Sequence, residues 1–204
     1  MLQGAAGQIE ALRDLPEQKS KAHNKGTALI CHPHPLFGGT MDNKVVQTLA
    51  RAFVQTGWTA LRFNFRGIGQ SGGVYNEGRG EADDLRALIK QVAPVGSALA
   101  VAGFSFGSFV ASQVLREVAQ SHDLQKIVFV GTAASRFAVA NIPAVLHEKL
   151  IVIHGESDDT VPLQSVMDWA RPQVIPITVV PGGGHFFHGQ LPLLRSLVAR
   201  HLSA

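Results

Sequence analysis

Cysteine is almost absent from this sequence: of 204 residues, only Cys31 carries a thiol. No disulfide can close within the chain, which argues against a disulfide-stapled secreted fold and for a reducing compartment. Charge is sparse as well. Asp, Glu, Lys and Arg make up 16% of the residues and the formal net charge is +3, scattered along the chain, so a polyanion-binding design is not expected. The nearest thing to a basic run, Lys19-Ser20-Lys21 to Lys25, reads as a solvated loop. No stretch approaches the roughly 18 apolar residues of a membrane span. The opening segment, Met1 to Asp14, lacks the positive and apolar regions of a secretory signal. Repeats, low-complexity tracts and linkers are missing too, so one domain over residues 1–204 is expected. A cytoplasmic protein follows, monomer or homodimer, with neither nucleic acid nor membrane as partner.

What is present is a core. Hydrophobic residues account for 46% of the chain, arranged as short apolar runs alternating with amphipathic stretches. Thr27 to Cys31, Trp58 to Phe65, Ala98 to Ala102, Lys126 to Val130, Leu150 to Ile153 and Ile177 to Val180 are apolar on both faces, the mark of buried parallel strands. Helical spacing appears over Asn43 to Gln55, Glu81 to Val92, Phe106 to Val118, Leu163 to Ala170 and Leu191 to His201. Strand–helix alternation predicts an α/β fold with a mostly parallel sheet and helices on both faces. Gln8 to Leu15 alternates apolar and polar and suits an antiparallel edge strand.

In open parallel sheets, ligands bind beyond the carboxyl ends of the strands, so functional residues should follow strands directly. Gly103-Phe104-Ser105-Phe106-Gly107 does so, between the run Leu99 to Ala102 and a helical pattern. This is the strand–turn–helix setting in which Gly-x-Ser-x-Gly presents a nucleophilic serine. A serine hydroxyl needs a base to take its proton. In this motif the partners follow the serine in the order acid, then histidine. His185, in Pro181-Gly182-Gly183-Gly184-His185 after the last strand, fits the base best; His188 and His201 fit less well. The acid should come from the polar loop after Ile151 to His154, where Glu156, Asp158 and Asp159 are candidates. Any of the three could instead cap the next helix, Asp159 above all.

Together these segments resemble the α/β-hydrolase superfamily over nearly the whole chain. His154-Gly155-x-x-Asp158-x-x-Val161-Pro162 resembles the acid loop of its dienelactone-hydrolase-like and carboxylesterase-like members, which implies Asp158 as the acid. Asn64-Phe65-Arg66-Gly67 resembles the family's arginine–glycine turn after the fourth strand. His32-Pro33-His34-Pro35, with Gly38-Gly39 and Asn43-Lys44, is similar to a group of small bacterial predicted hydrolases without lids.

Acyl transfer also needs donors to the oxyanion. The Phe106 N–H is one expectation. The other lies in the loop His32 to Gly39, where Pro33 and Pro35 have no N–H. That leaves His34, Leu36 and Phe37, with Leu36 favoured. The family's usual glycine after the first histidine is replaced by Pro33. The connection Gly131 to Lys149 holds at most a short helix near Ala134 to Ala138. It leaves no room for a cap domain and predicts an open site rimmed by Phe37, Phe104, Phe106, Phe186 and Phe187. The expected activity is hydrolysis of a small acyl compound, an ester, thioester or lactone, through a Ser105-His185-Asp158 triad and an acyl-enzyme, with no metal or other cofactor. Three weaker readings stand beside it. Gly67-Ile68-Gly69-Gln70-Ser71-Gly72 fits a dinucleotide fingerprint. His32 and His34, with Cys31 and His154, could bind a metal. The fold could also serve as a catalytically inactive scaffold.

Overall fold

Seven strands form one sheet in the computed structural model, which describes residues 1–16 and 24–204. The basic run beginning at Lys19 lies outside the described residues apart from Lys25, whose Nζ donates to the Leu202 carbonyl. A two-stranded antiparallel hairpin, β1 (Leu2–Gly4) with β2 (Gly7–Ile9), precedes the sheet. The sheet is built from β3 (Ala11–Asp14), β4 (Thr27–Cys31), β5 (Thr59–Phe63), β6 (Ala98–Phe104), β7 (Asp123–Val130), β8 (Leu150–Gly155) and β9 (Ile177–Val180). Their order is β3-β5-β4-β6-β7-β8-β9, all parallel except the edge strand β3. The edge strand anticipated over Gln8 to Leu15 is thus two strands in two sheets. The break falls at Glu10, whose N–H donates to Ser71 Oγ and whose carboxylate accepts from Asn64 Nδ2 and the Gln70 N–H.

Alternation along the strands sorts the core into two layers. Ala28, Ile30, Ala60, Ala100, Ala102, Val128, Val130 and Ile153 meet α1 (Lys44–Gln55) and α6 (Leu191–Ser203) through Val46, Leu49, Phe53, Leu194 and Val198. The alternate residues Leu29, Cys31, Leu61, Phe63, Leu99, Val101, Ile127, Phe129 and Val152 face the other layer. That layer holds α2 (Arg79–Val92), α3 (Phe106–Ser112), α4 (Leu115–Ser121) and α5 (Leu163–Ala170). Asn43 caps α1 by accepting from the Val45 N–H, and Glu81 closes the start of α2 on the Gly78 N–H.

The helix anticipated over Phe106 to Val118 is broken between α3 and α4. Ser112 Oγ bonds back to the Phe109 carbonyl at 2.6 Å and accepts the Ala140 N–H at 3.0 Å. Such back-bonding competes with the helical ladder and bends it. No helix forms at Ala134 to Ala138. Arg136 and Phe137 N–H groups both fold onto the Ala133 carbonyl and the turn stops there. A 3-10 helix over Ala144–Lys149 follows instead. The connection from β7 to β8 inserts no cap domain. No helix among the described residues is long and apolar enough to cross a membrane.

Candidate active site

The chain leaves β6 through Ser105, whose backbone sits at φ 55° and ψ −117°. A non-glycine residue there is strained, and such strain gathers where the surrounding structure holds a functional group in place. Here the hold is explicit. The Ser105 N–H donates to the Val130 carbonyl at 2.8 Å, and Ser108 Oγ ties α3 back to the Gly103 carbonyl at 2.7 Å. A Cβ at Gly107 would collide with the Cys31 carbonyl; only glycine lets the elbow approach the end of β4 so closely.

His185 arrives on the loop after β9. Its Nε2 lies 3.0 Å from Ser105 Oγ, and its Nδ1 lies 2.7 Å from Asp158 Oδ2. The ring rests on Phe104 at a centroid distance of 4.9 Å. Glu156 accepts the Gly182 N–H and Ser157 donates to the Gly183 carbonyl, so the loops after β8 and β9 are pinned to each other. Asp158 Oδ1 accepts from the N–H groups of Thr160 and Val161 at 3.0 and 2.7 Å. Burial opposes ionisation of Asp158, yet the bonds from His185 and the Val161 N–H outweigh it and hold the carboxyl below the usual carboxylate range. Asp159 is exposed and caps nothing; Pro162 precedes α5 without a side-chain bond. His188 is exposed beside Phe186, and His201 bonds the Lys149 carbonyl.

The loop after β4 closes one side of the site. The Leu36 N–H donates to His34 Nδ1, and the Phe37 and Gly39 N–H groups both donate to the His34 carbonyl. Leu36, favoured in sequence, is therefore corrected: its N–H is consumed inside the loop, and its exposed side chain borders a separate depression with Pro35, Ile68 and Val74. Among the described residues, the His34 N–H has no acceptor within the chain. Phe106, first residue of α3, has an N–H that no helical carbonyl can reach.

His32 holds this loop from beneath. Its Nδ1 meets the Pro33 carbonyl at 2.6 Å and its Nε2 accepts the Phe65 N–H at 2.9 Å. Both ring nitrogens are thereby committed, so the metal reading of His32 and His34 has no lone pair to use at His32. Among the described residues, no group of three His, Cys, Asp or Glu is arranged around a common point. The arginine–glycine turn is scaffolding: Arg66 Nε bonds buried Asp84 at 2.7 Å, whose other oxygen takes the Ala5 N–H. The glycine-rich stretch from Gly67 closes on itself through the Gly67 N–H to the Gly72 carbonyl and opens no helix, which removes the dinucleotide reading.

Above Ser105 lies a cavity of about 330 Å³. Its lining includes Pro33, His34, Phe37, Asn43, Phe106, Ala133, Arg136, Phe137, Thr160, Val161, His185 and Phe186. Two of the anticipated rim residues are corrected. Phe104 and Phe187 are fully buried and belong to the core under α1 and α6. Phe37 and Phe186 do line the cavity. Sequence reasoning missed Arg136, Phe137, Thr160 and the His34 ring, which sits among Phe37, Tyr75, Phe106 and Phe137. Burial lowers the proton affinity of His34; Glu81 opposes this and Arg136 adds to it. A larger depression of about 840 Å³, edged by Arg13, Arg51, Arg62 and Arg195, shares no residue with this cavity and is lined by no Ser, Thr, Cys or His; its one carboxylate, Asp14, is paired with Arg62. Chemistry, not volume, selects the site.

Comparison with known proteins shows which family the chain belongs to. A family model described as serine aminopeptidase, S33, matches residues 22–151. A crystal structure from Xanthomonas campestris, described as an α/β serine hydrolase without a lid, is 37% identical with a TM-score of 0.85, covering 98% of this chain and 91% of that one. A serine hydrolase homologue from Coxiella burnetii is 34% identical with a TM-score of 0.82, covering 98% and 95%. An uncharacterized protein of Rickettsia prowazekii is 33% identical over 184 residues, which is 83% of this chain and 75% of that protein.

Proposed function

Because the chain belongs to the lidless serine hydrolases of the α/β-hydrolase superfamily, we propose that it cleaves carboxylic esters or related acyl compounds, thioesters and lactones among them, through Ser105, His185 and Asp158. The observation that carries this reading is the continuous relay from Ser105 Oγ to His185 Nε2 and from His185 Nδ1 to Asp158, at 3.0 and 2.7 Å, on the floor of the cavity. Ser105 Oγ attacks the acyl carbonyl as His185 Nε2 takes its proton. The oxyanion is received by the N–H groups of Phe106 and His34. His185 then protonates the leaving group, and water, activated by the same imidazole, releases the acid from the acyl-enzyme. Asp158 keeps the imidazole in the tautomer that accepts at Nε2 and steadies its charged form.

The family description raises a second reading, removal of an N-terminal residue from a peptide. Such a substrate brings an ammonium group, which a carboxylate would have to receive. Among the described residues lining the cavity there is no Asp or Glu, and the permanently charged one is Arg136. Ester-type substrates fit this lining better. The test is labelling with a fluorophosphonate together with turnover of 4-nitrophenyl esters of graded chain length, a thioester and a lactone. Wild-type protein should be labelled and should hydrolyse at least one of the acyl substrates. Ser105→Ala should lose the label and lose kcat by a factor on the order of 10⁶. A Ser105→Ala protein that retained full turnover would refute the assignment, and a wild-type protein inert to both would favour a scaffold.

A further inference from the structure

The cavity above Ser105 contains one permanently charged group, the guanidinium of Arg136. Elsewhere in the chain, Arg62, Arg66, Arg86 and Arg171 are each paired with a carboxylate. Among the described residues Arg136 has no such partner, as is also true of Arg13, Arg51, Arg79, Arg116, Arg195 and Arg200, but of all these it alone lines the cavity of Ser105. Its mount is nevertheless firm. The Arg136 and Phe137 N–H groups both donate to the Ala133 carbonyl, immediately after β7, and the Phe137 ring stacks on Phe109 at 4.8 Å and 15°. An unpaired, exposed cation is thus borne on a turn whose backbone is fixed, at the wall of an otherwise largely apolar cavity, on the same surface as the proposed nucleophile.

We propose that Arg136 is a specificity-determining residue, and that the preferred substrates are small acyl compounds carrying a carboxylate a few bonds from the scissile carbonyl. The inference rests on the reading of Ser105 as nucleophile and names the substrate class for it. A carboxylate matches the planar fork of a guanidinium with two parallel hydrogen bonds. The volume, about 330 Å³, is at the small end for ligand sites. It limits the spacer between the anion and the carbonyl to a short chain, which Phe37, Phe137 and Phe186 would cover. Because Arg136 is exposed, the attraction is screened by salt.

The experiment compares, within each protein, kcat/KM for the 4-nitrophenyl monoester of adipic acid with that for 4-nitrophenyl hexanoate, which replaces the distal carboxylate by a methyl group. A second pair places the anion on the leaving group: 4-carboxyphenyl butyrate against phenyl butyrate. In at least one pair, the anionic-to-neutral ratio should fall roughly fivefold in Arg136→Ala, as expected for an exposed ion pair. It should fall further in Arg136→Glu and be retained in large part by Arg136→Lys. In wild-type protein the same ratio should decline as salt rises. Ratios that are equal in wild type, Arg136→Ala and Arg136→Glu for both pairs would overturn the proposal, whatever the absolute rates. Loss of the Ser105 assignment would read differently: Ser105→Ala would keep its turnover, while the Arg136 ratios would still report on the anion site.

Discussion

Acidification should loosen this protein through His32, a fully buried residue outside the lining of the cavity. The imidazole is buried against Phe65, with its two nitrogens committed to the Pro33 carbonyl and the Phe65 N–H. A proton added at Nε2 would face an N–H donor with no water to receive it. Burial therefore pushes the His32 pKa down from 6.5 to about 4, only partly offset by the bond to Pro33. The unfolded chain binds a proton in that window that the native chain refuses. Native stability is thus complete above pH 6.5 and is lost as the pH falls toward 4. The full displacement corresponds to about 3 kcal/mol, a large part of the ~5–15 kcal/mol that stabilises a typical domain. His154 and His201 are also lowered by burial and act in the same direction, so the informative measurement is a difference. Urea midpoints of wild type and His32→Gln should be compared at steps from pH 7 to pH 4. Glutamine can accept from the Phe65 N–H but does not titrate, and loses the Pro33 contact at a cost of about 1 kcal/mol. The variant should be less stable at pH 7, and the gap should close and then reverse as the pH falls. A gap that stayed constant across the window would refute the argument.

Two further outcomes concern the acyl-transfer machinery. His34 has φ −54°, which proline can adopt, so His34→Pro removes the N–H proposed for the oxyanion while His34→Ala keeps it. Beyond any loss shared with alanine, the proline variant should lose a further 10²- to 10³-fold, roughly, in kcat; equal kcat values would move the oxyanion donor elsewhere. Asp158→Asn keeps an acceptor for the Thr160 and Val161 N–H groups but no longer fixes the imidazole tautomer. Its kcat should drop on the order of 10⁴-fold, with a urea midpoint at pH 7 below that of wild type, because the carboxylate held below its usual range stabilises the native state there; an unimpaired kcat would assign the acid to another residue.

Features set by position along a strand were legible from the residues alone. β4 ends where its apolar run ends, at Cys31, because burial on both faces leaves no polar residue from Ala28 onward; β9 also ends with its run, at Val180, although it is the sheet's edge and its Val179 is exposed. Phe104 could have been placed by the same rule. It shares parity with Ala100 and Ala102, which face α1 and α6, so it belongs to the core and not to the rim where its neighbourhood to Ser105 suggested it. The elbow, the acid loop and the histidine loop were legible because each follows a strand, and the parallel sheet gathers such ends at one edge. Features set by contacts across the chain were not. The helix break at Ser112 depends on the Ala140 N–H, and the loss of Leu36 as a donor depends on which way the His34 ring turns. Arg136 was hidden for the same reason: read alone, Ala134 to Ala138 is a helix-forming segment with one charge. It becomes part of the site only when the turn after β7 is set beside the elbow after β6, a pairing fixed by the register of Val130 with Phe104. The proposed nucleophile is written into a local pattern, because its backbone strain needs particular neighbours in sequence. The proposed selector for substrate charge, Arg136, needs only the right neighbours in space, so no local pattern records it.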